Sequence, residues 1–287
     1  MKNNHLQQLL ELSLATLCIS TSGVLGKFIA MPPPVTIWWR AFIAMVFVYL
    51  YCRYKKISLK LKSKKDRATF IIGGLLMGVH WVTYFYALKL SNVGLAVLSL
   101  YTFPVITALL EPLFVKVKFD SVNILLAIMV LLGIYILVPE LNFQSSYVKG
   151  IGFGMLSALC YALRSLILMR HVNNYNGSML MLSQLMIMSI VLLPALLFMD
   201  ISVIQRQFPY VVLLGLVSSA IGHTMFINSL KYFKVSTASI ISSMQPIYGI
   251  ILAYFFLREI PTWNTFFGGL LILGTVIIES VRAKKKV

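Results

Sequence analysis

Residues 87–104, ALKLSNVGLAVLSLYTFP, decide the fold, because a fixed shift of 142 positions lays them on residues 229–246, SLKYFKVSTASIISSMQP. Leu88, Lys89, Val93, Ala96 and Pro104 fall on Leu230, Lys231, Val235, Ala238 and Pro246. The same shift carries Gly73 onto Gly215, and Leu14, Leu17 and Cys18 onto Leu156, Leu159 and Cys160. Leucine matches are cheap in so apolar a chain. A proline, a Leu-Lys pair and a cysteine held in one register across 287 residues mark a duplicated unit. The expected repeats are 1–142 and 143–287.

Outward from this stretch, 59% of residues are hydrophobic, 11% are charged, and the mean hydropathy is +0.88. That leaves too little polar surface for a soluble globule, and the apolar runs have the roughly 20-residue length that crosses a bilayer. Strands of about ten residues with alternating polarity, the mark of a membrane barrel, do not occur. Ten candidate spans follow, at about 7–29, 35–52, 68–89, 93–115, 121–138, 150–169, 177–198, 209–231, 235–257 and 263–281. Five fall in each half, and an odd number per half turns the second copy over. The expected fold is therefore an all-α polytopic membrane protein, ten transmembrane helices as two inverted five-helix repeats.

The net charge of +17 is explained by topology. With the N-terminus in the cytoplasm, most of the Lys and Arg residues lie on inner segments, notably Arg53, Lys55, Lys56, Lys60, Lys62, Lys64, Lys65 and Arg67. Lys27, Arg40, Lys89, Lys149, Arg206 and Arg258 remain for the outer side. Both termini are expected in the cytoplasm and the chain in the inner (plasma) membrane. The lipid bilayer and a small-molecule substrate are its expected partners. Nucleic acid is not, since no basic surface with aromatic stacking partners is seen. The first apolar run lacks a cleavage pattern and reads as a span.

Motifs for chemistry are missing. There is no GxxxxGK[ST] loop and no HExxH, the eight acidic residues are scattered, and Cys18, Cys52 and Cys160 have no metal-ligand spacing. No metal, cofactor, disulfide or enzymatic activity is expected. What remains is polar and aromatic residues inside apolar spans, where each is costly unless it faces protein or water. His80, Tyr84 and Tyr101 lie in the third and fourth spans, Tyr161 and Arg164 in the sixth, and His223, Asn228, Gln245 and Tyr248 in the eighth and ninth. His80 and Tyr84 are one turn apart and share a helix face. These nine residues are the candidate cavity lining; each also has a packing reading, because aromatic residues are common in helix contacts and at membrane interfaces.

Pro104 and Pro246 each remove a backbone donor near mid-membrane and are candidate hinges. Arg164 either snorkels to the nearby interface or recognises an anion. Glu111 either pairs with Lys116 or Lys118 or carries a proton.

Residues 74–110, GLLMGVHWVTYFYALKLSNVGLAVLSLYTFPVITALL, with LLGIYIL at 131–137, resemble the EamA repeat of the drug/metabolite transporter superfamily, as does the stretch 229–277. WWRAFIA at 38–44 resembles the arginine-bearing start of that family's second span. The resemblance covers nearly the whole chain. It implies ten helices, a central cavity opening alternately to each side, and secondary transport of small metabolites. Members described as amino-acid exporters line the cavity with aromatic and polar side chains from several spans. The reading that follows is an exporter of amino acids or related small metabolites, with a transporter of phosphorylated or sugar-linked metabolites as the alternative. One position departs from the family pattern: the glutamate that closes the fourth span of each repeat is present as Glu259, but Val117 stands at the equivalent place in the first half.

Overall fold

The structure is a computed structural model that describes residues 2–64, 66–114, 120–138, 142, 144–169, 171, 174–229 and 241–285. Its described elements are all helical. Three helices open the chain, α1 (Lys2–Phe28), α2 (Pro33–Tyr54) and α3 (Asp66–Leu90). The fourth span is α4 (Val93–Leu100) followed by α5 (Phe103–Phe114), and α6 (Val122–Leu137) ends the first half. The second half holds α7 (Ser146–Leu168), α8 (Gly177–Val191) with the short α9 (Ala195–Phe198), and α10 (Ile204–Leu213). α10 runs on through a π-helical segment, Leu214–His223, into α11 (Thr224–Ser229), and α12 (Met244–Leu257) and α13 (Trp263–Lys285) complete the chain. Eight of these segments are long and apolar enough to cross a membrane, and Val122–Leu137 and Met244–Leu257 are shorter apolar helices. The ten expected spans are thus found, although the start of the ninth, 235–240, lies outside the described residues.

The breaks have backbone causes. Pro104 cannot donate to the Leu100 carbonyl, and the helix yields just there, with Tyr101 closing α4 and Pro104 in the first turn of α5. Pro246 likewise sits in the first turn of α12. A third break at Leu192–Pro194, between α8 and α9, is one that the sequence reading passed over.

Within the spans, hydroxyls bond to carbonyls one turn back, as with Thr16 to Leu12 at 2.8 Å and Ser99 to Leu95 at 2.6 Å, which satisfies those donors in an apolar surrounding. Packing rests on small residues, as expected where hydrophobic burial does not drive helix association. At Gly154 of α7, an added Cβ would lie 2.5 Å from the Ser99 Cβ of α4. At Gly268 of α13 it would lie 2.8 Å from the Gly133 carbonyl oxygen of α6. α3 packs most extensively on α7, α1 on the π segment and on α12, and α6 on α13. First-half and second-half helices are thereby interleaved. Cys18, Cys52 and Cys160 are free.

The connections 29–32, 91–92 and 258–262 gather at the end of the molecule away from the termini. There the ammonium of Lys27 donates to the Leu88 carbonyl at 2.8 Å and to that of Ser91, and Lys89 donates to the carbonyls of Lys27 and Ile29. Two lysines expected at an outer mouth therefore serve as helix C-terminal caps. Asn92 caps α4 through Leu95 N–H at 2.8 Å.

Candidate functional site

His80 lies in the middle of α3, 5% exposed, against α7. Its Nδ1 is 2.7 Å from Ser157 Oγ and 3.2 Å from the Ser157 carbonyl oxygen, while Ser157 Oγ donates to the His80 carbonyl at 2.8 Å. Two reciprocal contacts thus bind α3 to α7 at mid-span. One turn on from Ser157, the Tyr161 ring stands 4.9 Å from the His80 ring. A further turn brings Arg164, whose guanidinium carbon is 5.5 Å from the centre of the same Tyr161 ring. His80 and Arg164 therefore share one aromatic neighbour.

Arg164 does not snorkel. Its Nε donates to Gln184 Oε1 at 2.6 Å, and that Gln184, 1% exposed, is itself fixed by donating to the Leu180 carbonyl at 2.9 Å. Among the described residues no carboxylate lies within 4 Å of Arg164.

Aromatic contacts extend the group. Phe103 lies edge-on to Tyr161 at 4.7 Å and to Tyr101 at 5.5 Å, so the α4–α5 break delivers both rings to this face of α7. Tyr101, 2% exposed, donates to the Ser242 carbonyl at 2.5 Å and so ties that break to the segment preceding Pro246.

A second centre lies on the other side of α3. Arg40, expected near an outer mouth, is instead buried to 1% exposure. Its guanidinium carbon sits 3.7 Å from the centre of the Trp81 ring, a close cation–π stack. Its Nε donates to Ser219 Oγ at 2.7 Å and its Nη2 to Ser218 Oγ at 2.9 Å. The i→i+5 winding of the π segment, a form often found at functional sites, presents these two consecutive hydroxyls to one guanidinium. His223 closes that segment with its ring 5.5 Å from Trp81. Arg40 also lacks a carboxylate partner among the described residues.

The nine candidate residues are thus divided. His80, Tyr161 and Arg164 meet directly, Tyr101 joins them through Phe103, and His223 reaches the Arg40 centre. Tyr84 shares a face with His80 in projection, but its hydroxyl turns to α1, where a Cβ at Gly23 would lie 3.3 Å from it. Asn228 is away from the group, donating at 3.4 Å to Ser178 Oγ in the first turn of α8. Gln245 and Tyr248 are half-buried in the first turns of α12 and make no hydrogen bond among the described residues. Glu111 is half-buried on α5, while Lys116, Lys118 and Val117 lie outside the described residues. Sequence reading missed Ser157 and Gln184. Both are small signals, and only the buried His80 and half-buried Arg164 opposite them give them meaning.

Ten apolar crossings, helices broken by proline at mid-membrane, and a buried Arg40 and half-buried Arg164 without carboxylate partners among the described residues define the chain as a membrane transporter. The family model described as the EamA-like transporter family matches residues 9–138 and again 148–280, and the chain belongs to that family. An uncharacterised transporter of Bacillus subtilis, YxxF, is 26% identical over 231 residues, covering 78% of this chain and 73% of its own. The pseudopaline exporter CntI of Pseudomonas aeruginosa is 22% identical over 279 residues, covering 95% of this chain and 96% of its own. A solved crystal structure 19% identical to this chain superposes with a TM-score of 0.70 over 97% of this chain and 98% of that one, which shows the shared fold.

Proposed function

We propose that this chain is a secondary transporter that exports amino acids or related small carboxylated metabolites by alternating access, and that it has no enzymatic activity. The observation that carries the reading is Arg164, held by Gln184 over Tyr161 with no carboxylate near it among the described residues. A guanidinium in low dielectric is stabilised by an anion with which it makes charge-assisted hydrogen bonds, and a substrate carboxylate supplies one. His80, Tyr101 and Tyr161 then form the polar and aromatic remainder of the site. Tyr84, His223, Asn228, Gln245 and Tyr248 contribute as the two units, 1–142 and 143–287, move around it.

The helix breaks before Pro104 and Pro246 serve as hinges in this scheme, and Glu111 is the candidate for proton coupling. Both termini face the cytoplasm and the chain sits in the inner (plasma) membrane, a reading supported by the distribution of basic residues.

A second reading, transport of phosphorylated or sugar-linked metabolites, is favoured by the presence of Arg40 as a second, fully buried cation. Counterflow in proteoliposomes of the purified protein separates the two. One set is loaded with pooled amino acids and one with phosphorylated and sugar-linked metabolites. Exchange with the first pool is expected; exchange with the second alone makes the second reading the function, and exchange with neither removes both.

A further inference from the structure

The proton on His80 can be placed from its neighbours. The Ser157 carbonyl oxygen, 3.2 Å from Nδ1, can only accept, so Nδ1 must donate. The Ser157 hydroxyl has one proton, and its 2.8 Å contact with the His80 carbonyl uses it, so Oγ is left to accept from Nδ1–H at 2.7 Å. Both constraints select one tautomer, and in that neutral ring Nε2 carries a lone pair and no hydrogen.

Nε2 is also reachable. It has no hydrogen-bond partner among the described residues, yet it is not one of the sealed, unpartnered side-chain atoms, which are Trp39 Nε1, Asn123 Oδ1, His171 Nδ1, Gln207 Oε1 and Thr224 Oγ1. Nε2 therefore keeps some accessible surface in a ring that is otherwise buried, the residue being 5% exposed. Tyr161 stands beside it at 4.9 Å, with Arg164 on that same ring at 5.5 Å. An acceptor, an aromatic face and a multidentate cation are presented together.

We infer that His80 is a specificity-determining residue whose Nε2 accepts an N–H from the substrate, so that the cargo carries a protonated or free amine beside the acidic group held by Arg164. This rests on the transport reading above and narrows it to amino acids and derivatives that keep an N–H. Ser157 is the positioning residue, because it fixes which ring nitrogen accepts. A site built around a hydrogen bond rejects an analogue that lacks the donor more strongly than one that differs by a methylene, since the buried acceptor is left unpaired.

The test is counterflow with three probe pools in proteoliposomes: L-amino acids, their N,N,N-trimethyl counterparts, which keep the charge but lack an N–H, and the matching acids without the α-amine. The wild-type protein is expected to exchange the first pool at least tenfold faster than either other pool. His80→Phe is expected to bring the ratios to about one, and His80→Gln, whose carbonyl can replace the Nε2 acceptor, to restore most of the preference. Ser157→Ala, which leaves the backbone carbonyl as the sole acceptor for Nδ1–H, is expected to lower the amine preference by less than His80→Phe does. Equal wild-type exchange of amino acids and either analogue pool overturns the inference and leaves carboxylate transport standing. Exchange of none of the three overturns the amino-acid reading on which the inference rests. Should His80→Phe fail to accumulate, Ser157→Ala and the wild-type ratios still decide.

Discussion

Glu259, just past the end of α12, accepts the backbone N–H of Val93 at 2.8 Å, so a carboxylate from the second half of the chain caps a helix of the first. Arg258, the preceding residue, takes the left-handed conformation at φ 58°, which turns the chain back and lets the Glu259 N–H bond to the Ala253 carbonyl at 3.3 Å. The carboxylate thus meets the positive end of α4 while α12 is closed by its own turn.

Removing this cap has a predictable result. N-terminal caps contribute about 0.5–2 kcal/mol, and here the cap also holds two halves together. Glu259→Ala is expected to lower stability by about 1 kcal/mol and to speed amide exchange in residues 91–97 selectively, read by hydrogen–deuterium exchange in micelles. Uniform exchange changes across all spans would contradict a local cap. Glu259→Gln, which keeps an accepting oxygen, is expected to fall between Ala and wild type.

The Arg40 centre gives a second prediction. A planar guanidinium both stacks on Trp81 and reaches two serines, and an ammonium cannot match that geometry. Arg40→Lys is expected to destabilise the purified protein by about 1–3 kcal/mol, the range for hydrogen bonds lost from buried groups. Ser218→Ala and Ser219→Ala, each removing one acceptor, are expected to cost less individually. Thermal unfolding of the four proteins measures this, and a Lys variant as stable as wild type would mean that the stack and the serines contribute nothing.

The reasons why some features were legible and others not differ by residue. Ten spans were readable because the bilayer sets a length and a polarity that each segment must meet alone. The break before Pro104 was readable because a missing N–H is a property of one residue. Pro194 carried the same signal and was passed over, since it lies near the expected end of its span at 198. Arg40 was misplaced because position in a sequence measures distance from a helix end but not what covers that end. Pro33, Pro34, Val35, Thr36 and Ile37 are all buried, so the first turns of α2 lie under protein. Asn228 was grouped with the other candidates by its place in the span 209–231, whereas its amide is turned to Ser178 in the first turn of α8. The His80–Ser157 pair links residues 77 positions apart, and no local pattern announces such a contact.

Close packing of α7 on α4 gives a third prediction. A Cβ at Gly154 would lie 2.5 Å from the Cβ of Ser99, a fully buried residue whose hydroxyl is held by Leu95, so neither side chain has room to move. Overpacking of this kind costs about 1–3 kcal/mol. Gly154→Ala is expected to reduce the monodisperse fraction in fluorescence-detected gel filtration, and adding Ser99→Gly to restore much of it. A double variant no better than Gly154→Ala would place the clash elsewhere.

Topology is the last prediction, and charge decides it. Lys55, Lys56, Lys60, Lys62 and Lys64 lie on the α2–α3 connection, and Arg282 near the end of α13 pairs with Asp120 at 2.6 Å; both features stand at the end of the molecule that carries the termini. The opposite end keeps exposed Lys149, Arg206 and Arg258, together with Lys27 and Lys89, whose ammonium groups are folded back onto helix carbonyls. Free positive charge is therefore in excess at the end that carries the termini, and insertion retains such segments on the cytoplasmic side. A C-terminal alkaline phosphatase fusion is expected to be inactive and a C-terminal green fluorescent protein fusion to be bright. The reverse pattern would turn the molecule over. It would then place the Glu259 cap on the cytoplasmic face.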